Sequence, residues 1–307
     1  MSITRIAILG GTGFVGHSLC ERLVMAGHEV RILTRHRERH RDLLVLPAAQ
    51  VIEADVHNPA VLKREFQGQD VVVNLVGILN ESGRDGKGFE RAHAELPAKV
   101  VQACRQNGVP RLLHMSALHA SPDGPSHYLR SKGRGEQIVQ AAESNTLHVT
   151  SFRPSVIFGP RDSFTNRFAG LLRQVPFVFP LACPNARLQP VFVEDVVQAF
   201  VLALDRQATF GQRYNLCGPQ VYSLREIVTW LARQLGLKRR ILPLNNTLSM
   251  LQAAVLQFAP GKPFTLDNYR SLQLANVCEA SFPAIFGITP SRFEDVVPTY
   301  IPRVNSL

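Results

Sequence analysis

Four glycines follow a short apolar run near the start of the chain. Residues 5–9 read Arg-Ile-Ala-Ile-Leu, and the glycines after them have the spacing G-x-G-x-x-G between a predicted strand and a predicted helix. That context is typical of dinucleotide binding, and the alternative is an ordinary glycine-rich turn. One glycine permits the tight turn, a second lets backbone N–H groups approach a pyrophosphate, and a third lets helix and strand pack closely. We therefore expect the phosphates of a dinucleotide at a helix N-terminus formed by Gly10, Gly11, Thr12, Gly13, Phe14, Val15 and Gly16.

The second predicted strand, residues 29–34, ends without a carboxylate. An NAD site usually has Asp or Glu at this point to accept hydrogen bonds from the ribose hydroxyls. Here Arg35 follows Thr34, and a guanidinium is a natural partner for a 2′-phosphate. The sequence therefore favours NADP(H) over NAD(H); the alternative is a solvated cluster of surface arginines.

Two further loops complete the predicted cofactor site. Asp55 and Val56 follow the third predicted strand, where we expect the adenine. Gly77 follows the fourth, residues 70–76, where the backbone has to come close to the cofactor.

These loops need a scaffold, and the first half of the chain supplies one by alternating strands with helices. Such alternation predicts right-handed βαβ units and a Rossmann-type, doubly wound parallel sheet of the α/β class. We expect this dinucleotide-binding domain to include residues 1–153 and parts of 191–217. The other predicted strands are residues 50–54, 111–116 and 147–153, and the predicted helices are residues 14–26, 59–67, 89–107 and 127–143.

A smaller, mostly helical substrate lobe is expected over residues 154–190 and 218–307. Ser223 and Glu226 have the spacing of a helix capping box. An apolar stripe at helical spacing follows within residues 247–258, and it is either a membrane-surface helix or part of the core of this lobe. We favour the core, because residues 247–258 contain no Lys or Arg to meet anionic lipid.

Composition excludes several classes of protein. The formal charge of +10 indicates an anionic partner, but the arginine-rich residues 31–41 lack any nucleic-acid-binding signature, so no nucleic acid is expected. No apolar run is long enough to span a bilayer, and we expect no signal peptide. Five scattered cysteines without C-x-x-C predict reduced thiols in a cytoplasmic protein, with peripheral binding at the inner face of a membrane as the alternative.

Metal binding is not expected either. His36 and His40 have the i, i+4 spacing of metal ligands, but the arginines around them would repel a cation.

Several segments together resemble a known superfamily. GGTGFVG, ADV at residues 54–56, a Tyr-x-x-x-Lys, RPSVIFGP and VFVEDVVQA are similar to the extended, epimerase/dehydratase-like branch of the short-chain dehydrogenases/reductases. Within that branch, HMSALHA, YLRSKGRGEQIV and FRPSVIFGPRD look most like an atypical group. That group contains the nucleotide-binding accessory subunit of respiratory complex I and its bacterial relatives.

The resemblance implies a catalytic tyrosine and lysine, which map onto Tyr128 and Lys132. Their spacing of four places both on one face of a helix. A nearby ammonium favours the charged form of a phenol, so the tyrosine can exchange a proton as hydride moves, while the lysine also holds the nicotinamide ribose.

The third catalytic position departs from the superfamily. A Ser or Thr is usual at the end of the fifth strand, where this chain has Ala117. Ser116 or Ser121 is the candidate substitute, although a shift of one residue usually turns a side chain to the other face of a strand. Leu9 likewise stands where extended enzymes often have Thr.

Arginines in the region used for substrate by the extended branch are also of interest. The resemblance places Arg153 and Pro154 at the cofactor site, while Arg153, Arg161 and Arg187 are candidates to clamp an anion. Surface salt bridges are the alternative role for these arginines.

Three functions follow. The first is an NADPH-dependent oxidoreductase acting on a small carbonyl or quinone-type substrate. The second is a non-catalytic NADP(H)-binding accessory subunit or assembly factor of a membrane-associated respiratory complex, which Ala117 and the atypical resemblance favour. The third is a nucleotide-sugar epimerase or dehydratase, which would usually hold NAD(H).

Overall fold

A computed structural model describes residues 3–303 of the chain. The strands of this part are β1 (Arg5–Leu9), β2 (Glu29–Thr34), β3 (Ala49–Glu53), β4 (Val71–Asn74), β5 (Arg111–Met115), β6 (His148–Pro154), β7 (Ile157–Phe158), β8 (Val178–Leu181), β9 (Arg187–Leu188), β10 (Val191–Phe192), β11 (Gln212–Leu216), β12 (Tyr222–Ser223) and β13 (Arg240–Pro243). Seven of them form one sheet in the order β11-β6-β5-β4-β1-β2-β3. Neighbouring strands from β3 to β6 along this order pair in parallel, which confirms the predicted doubly wound sheet.

The four helices predicted in the first half of the chain are present, but the one between β4 and β5 is interrupted. A single helix was expected over residues 89–107, but a π-helical turn, Arg91–Glu95, separates two α-helices there. Pro97 explains the break, because it has no N–H to donate to the carbonyl of residue 93. The helices are α1 (Phe14–Met25), α2 (Arg41–Leu44), α3 (Pro59–Glu65), α4 (Lys87–Glu90), α5 (Leu96–Asn107), α6 (His127–Gln140), α7 (Thr165–Gln174), α8 (Val193–Leu202), α9 (Leu224–Gln234), α10 (Asn246–Leu256), α11 (Leu266–Leu272) and α12 (Phe293–Val296).

The chain divides into two units. Unit 1 comprises Met1–Arg153 and Val196–Tyr214. Its core joins the sheet to the helices that cover it, and β4 is buried along its whole length. Burial of every side chain in a strand is the pattern of a parallel sheet covered on both faces. The core includes Leu9, Leu33, Phe66, Val100, Leu112 and Val149.

Unit 2 comprises Pro154–Asp195 and Asn215–Leu307. It contains short strand pairs, β7 with β10 and β8 with β13 in parallel, and β9 with β12 antiparallel. Helix α9 begins with the predicted capping box, in which Ser223 Oγ accepts from the Glu226 N–H and the Glu226 carboxylate accepts from the Ser223 N–H. Capping of this kind satisfies two backbone donors that the first helical turn leaves open.

The expectation of five reduced thiols is wrong. Cys217 and Cys278, both in unit 2, form a disulfide, whereas Cys20, Cys104 and Cys183 are free and buried. Gln189 holds the two segments together: its side-chain oxygen accepts from the Cys278 N–H at 2.9 Å, and its side-chain nitrogen donates to Gly218 O at 2.7 Å. This pairing depends on tertiary contacts, and the cysteines therefore give no support to a reducing compartment.

The favoured interpretation of the apolar stripe is also wrong. Helix α10 buries its small residues Ser249 and Ala253 rather than its large ones. The stripe residues Leu248, Leu251, Val255 and Phe258 are 47–65% exposed, so they are not part of the core. Within residues 3–303, no helix has the length and apolar character needed to cross a membrane.

Candidate dinucleotide and catalytic site

Two glycines shape the loop between β1 and α1. Gly10 has a φ of +77°, and a Cβ there would lie 3.0 Å from the backbone at Leu75 and Val76, beyond β4. A Cβ on Gly16 would lie 2.2 Å from Gly10 O, where no side chain fits. The loop therefore lets β1, α1 and the end of β4 meet at the point where the strand order reverses, which is where open α/β sheets bind ligands.

The N-terminus of α1 is suited to an anion. Gly13 is the N-cap residue and has no side chain to accept the free N–H groups, and the first turn contains no acidic residue. Thr12, Phe14 and Val15 are partly exposed around it. Free N–H donors and the positive end of the helix dipole favour a phosphate here, so the residues fit the pyrophosphate predicted from the sequence.

The end of β2 presents a cation. Thr34 is buried, and the Arg35 side chain that follows it is exposed. Glu53 lies opposite Thr34 in the parallel register, and its carboxylate accepts the Arg37 N–H at 3.1 Å. The first exposed side chain after β2 is therefore a guanidinium, while the neighbouring carboxylate is bound to the backbone.

Two other predicted cofactor positions lie in the loops after β3 and β4. Asp55 is exposed, and its Oδ1 accepts the His57 N–H at 2.9 Å, while Val56 is buried beside it. Gly77 is exposed, and a Cβ there would lie 3.2 Å from Lys132 Nζ. The structure thus brings the glycine loop, the end of β4 and the lysine of α6 together at one edge of the sheet.

Lys132 is buried with one direct acceptor. It is 3% exposed, and its Nζ donates to Met115 O at 3.0 Å, at the end of β5. Burial lowers the pKa of this ammonium to about 8, and Glu136 one turn further along α6 partly opposes that shift. A lysine with this pKa is still mostly protonated at neutral pH and carries its charge to the site.

The Tyr128 phenol does not behave as expected. Burial raises its pKa to about 12, whereas the sequence predicted that a nearby ammonium would favour the charged form. The physical reason is that removal from water disfavours the phenolate, and Lys132 is directed at Met115 O. Tyr128 is therefore protonated at neutral pH, which suits a proton donor.

Sequence reasoning missed His93. It lies in the π-helical turn, 1% exposed, with its ring edge-to-face against Tyr128 at 5.4 Å between centroids. Its Nε2 accepts the Ile78 N–H at 3.0 Å, so Nδ1 carries the proton and donates to Ser131 Oγ at 2.9 Å. Burial, with smaller effects from Lys132 and His114, keeps its pKa well below the usual value, so the ring is neutral.

This histidine is bound to α6, the helix that carries Tyr128 and Lys132. Ser131 Oγ in turn donates to Tyr128 O, and a Cβ on Gly135 would lie only 1.7 Å from His93 O. The π turn therefore sits directly on α6, next to Tyr128. The signal that points to it is Pro97, four residues after His93, which frees the carbonyl that Gly135 approaches.

The hydroxyl of Ser116 is buried just after β5, next to the third predicted catalytic position. Ser116 is 2% exposed, and its buried Oγ has no hydrogen-bond partner among residues 3–303. Ala117, at the expected Ser/Thr position, is buried beside it. A buried hydroxyl without a partner is costly, which makes this atom a candidate to bond a ligand.

Arg153 has a protein partner. Its guanidinium binds the buried Glu136 carboxylate in a bidentate manner, and Arg213 Nε approaches the same carboxylate at 2.9 Å. Pro154 is the last residue of β6. Arg161 and Arg187 belong to unit 2.

In the part of the chain described, no group of three or more His, Cys, Asp or Glu side chains is arranged to hold a metal ion.

A family model described as "NAD dependent epimerase/dehydratase family" matches residues 6–217, which is more than half of the chain. The chain belongs to this family. The resemblance read from GGTGFVG, Tyr-x-x-x-Lys and the segments after them is thereby confirmed. As a member of the NAD dependent epimerase/dehydratase family, the protein has that family's NAD(P)-binding Rossmann fold.

Individual members of the NAD dependent epimerase/dehydratase family differ in what their names describe. The chain is 29% identical over 225 residues to subunit 9 of the NADH dehydrogenase (ubiquinone) 1 alpha subcomplex, mitochondrial, of Dictyostelium discoideum; the match covers 72% of this chain and 61% of that subunit. It is 29% identical over 291 residues to a ceramide reductase of Caulobacter vibrioides, covering 94% of this chain and 83% of that protein. A UDP-glucuronic acid 4-epimerase mutant of Bacillus cereus, solved with NAD, superposes with a TM-score of 0.69 at 19% identity over 87% of this chain and 98% of that one. The last likeness shows the fold alone.

Proposed function

We propose that the protein is an NADP(H)-dependent oxidoreductase that reduces a carbonyl or quinone-type oxygen of a small substrate. The observation that carries this is the placement of Lys132, which is buried between Met115 O and Gly77 and lies one helical turn from Tyr128. A buried ammonium beside a protonated phenol, at the edge where the family binds its dinucleotide, is the arrangement that hydride transfer to a carbonyl requires.

The roles of the residues follow from their chemistry. The bound cofactor supplies the hydride. Tyr128 Oη donates the proton that the substrate oxygen takes up, and the Lys132 ammonium binds the ribose hydroxyls beside Gly77. Ser116 Oγ, buried without a partner in residues 3–303, donates a hydrogen bond to the same substrate oxygen in place of the residue missing at Ala117.

Arg35 supports NADP(H) as the cofactor. Its exposed guanidinium follows β2 directly, where it meets a 2′-phosphate that NAD(H) lacks. Titration of the purified protein with both cofactors tests this: we expect NADPH to bind more tightly than NADH, and Arg35→Ala to weaken only NADPH, by about tenfold. Arg39→Ala, an exposed arginine of the same basic segment, is the matched control. Equal affinities of the wild type for the two cofactors would contradict the assignment.

A second candidate is a non-catalytic NADP(H)-binding accessory subunit of a membrane-associated respiratory complex. The name of the Dictyostelium relative and Ala117 at the catalytic position favour it. In that case the protein binds peripherally at the inner face of a membrane, and Tyr128 and Lys132 serve cofactor binding alone. A nucleotide-sugar epimerase or dehydratase is the third candidate, which the Bacillus cereus structure represents.

One experiment separates these candidates. The purified protein is denatured and its retained nucleotide is identified by mass. NADPH oxidation is then followed with aldehydes, quinones and a ceramide precursor ketone, and sugar nucleotides are assayed for an epimerised or dehydrated product, because those reactions consume no net NADPH. We expect turnover with one carbonyl class, a loss of at least 100-fold in kcat for Tyr128→Phe, and unchanged NADPH affinity in that variant. If wild type and Tyr128→Phe bind NADPH and are equally inert with every substrate, the accessory role replaces the enzyme.

A further inference from the structure

An exposed apolar stripe runs along α10. Leu248, Leu251 and Val255 are spaced by three and four residues, so they lie on one side of the helix, and Phe258 continues that line. Their exposed fractions are 47%, 57%, 60% and 65%. A helix of a soluble protein normally turns such a stripe to the core, but α10 turns Ser249 and Ala253 there.

A second group of exposed apolar side chains lies where β8 begins. Phe177 is 78% exposed and Val178 is 43% exposed. Phe177 has a φ of +58°, a strained conformation for an aromatic residue. Strain of this kind persists where the surrounding structure fixes the backbone, and here the Arg240 N–H donates to Phe177 O while the aromatic ring stays exposed.

These two groups lie on connected elements of unit 2. Strand β8 pairs with β13, which leads directly into α10, and Leu242 of β13 is also exposed. The helix is fastened to β8 and the residues that follow it: Gln252 Nε2 donates to Pro180 O at 3.4 Å, and Ser249 Oγ accepts the Cys183 N–H at 3.0 Å. We use the name apolar face for the exposed apolar residues of these elements together: Phe177, Val178, Leu242, Leu248, Leu251, Val255 and Phe258.

The chain segments that contain the apolar face carry cations and no carboxylate, and the acidic residue on a packed neighbouring helix is Asp267 of α11. Residues 163–193 and 227–266, which include all of it, contain no Asp or Glu. Lys238 and Arg240 are exposed beside it, and the Arg240 N–H donates to Phe177 O at 2.8 Å. Arg173, at the end of α7, is exposed as well. Helix α10 has no cation of its own, but Arg240 belongs to β13, the strand that precedes α10, and pairs with Val178 of β8.

We propose that the apolar face binds the surface of an anionic phospholipid bilayer. Its leucine, valine and phenylalanine side chains enter the boundary between headgroups and acyl chains, and Arg173, Lys238 and Arg240 bind the lipid phosphates. Apolar side chains bordered by cations, with no carboxylate in the same segments, complement an anionic bilayer in both respects. The binding is peripheral, consistent with the finding that no helix in residues 3–303 is suited to span a membrane.

Flotation of the full chain with vesicles tests the proposal. One set of vesicles is phosphatidylcholine, and the other contains about 30% phosphatidylglycerol. We expect the protein to float with the anionic vesicles, with less binding at high salt. The variant Leu251→Ser/Val255→Ser/Phe258→Ser is expected to lose at least tenfold in the bound fraction, and Lys238→Gln/Arg240→Gln to lose the preference for phosphatidylglycerol.

The matched control replaces exposed apolar residues of unit 1. Met25 and Val45 are 84% and 78% exposed, so Met25→Ser/Val45→Ser removes apolar surface of similar kind and should leave flotation unchanged. Circular dichroism and NADPH titration check that every variant is folded, independently of the proposed reaction. The proposal is overturned if the wild type floats with neither vesicle, or if the triple serine variant floats as the wild type does. Light scattering that shows a dimer dissociated by the triple serine variant, without vesicle binding, would assign the face to a second copy instead.

Discussion

Burial of the His114 ring makes the free energy of unfolding depend on pH. The ring is 1% exposed, its Nδ1 lies 3.3 Å from the Asn74 side-chain nitrogen, and burial lowers its pKa to about 3, with a smaller effect from the Lys132 charge. Below pH 6.5 the unfolded chain binds a proton that the folded chain excludes, so the free energy of unfolding decreases as pH falls from about 6.5 toward 3.

The variant His114→Gln removes this proton uptake and keeps a side chain that can bond to Asn74. We expect the slope of unfolding free energy against pH, measured by denaturant titration between about pH 4 and 6, to decrease by about 1.4 kcal/mol per pH unit. The exposed His36 loses little water on folding, so His36→Gln is the control. An unchanged slope in His114→Gln would show that this ring is protonated in the folded protein.

The close contact between the start of α1 and the loop after β1 depends on Gly16. An added Cβ would lie 2.2 Å from Gly10 O and 2.6 Å from Gly11 Cα, both backbone atoms that cannot move aside. We expect Gly16→Ala to force α1 away from the loop, to lower the free energy of unfolding by about 1–3 kcal/mol and to weaken dinucleotide binding.

The matched control is Gly170→Ala in the interior of α7. A Cβ there meets nothing within 4 Å, so this variant should stabilise the protein by about 0.5–1 kcal/mol, because alanine loses less entropy in a helix. Denaturant unfolding and NADPH titration measure both effects. Wild-type stability and affinity in Gly16→Ala would contradict the close contact.

Local geometry explains why the sequence predicted some elements well. Residues 5–9 and the glycines after them lie within one βα unit, where spacing alone fixes the turn, and Tyr128 and Lys132 lie one helical turn apart. The π turn at Arg91–Glu95 was missed because its cause is shared between Pro97 and Gly135 on another helix. Its consequence, the contact of His93 with Tyr128, requires knowing that α6 packs on this turn.

The burial of a side chain, and the charges near it, depend on segments that are far apart in the chain. The stripe in α10 looked like core because residues 247–258 contain no cation, and the cations come instead from β13 and the end of α7. Likewise the Lys132 ammonium was expected to favour the charged form of Tyr128, but it donates to Met115 O at the end of β5, and burial raises the pKa of the phenol. The spacing of apolar residues shows which of them share a helix face, but it does not show what the fold packs against that face.

The bond between Cys217 and Cys278 is a covalent constraint between distant segments. It closes a segment of 61 residues in unit 2, and a cross-link of that separation removes unfolded-state entropy worth about 4 kcal/mol. We expect Cys217→Ser/Cys278→Ser to lower the free energy of unfolding by that order, and reductant to have the same effect on the wild type and none on the variant.

Thiol titration of the denatured, unreduced protein decides whether the bond is present. The structure leaves three cysteines free, whereas the sequence contains five. Three reactive thiols before reduction and five after it confirm the bond; five throughout would restore the reduced state expected from the sequence. Because Gln189 fixes both Cys278 and Gly218 through hydrogen bonds, Gln189→Leu should slow re-formation of the bond after reduction while leaving the three free thiols unchanged.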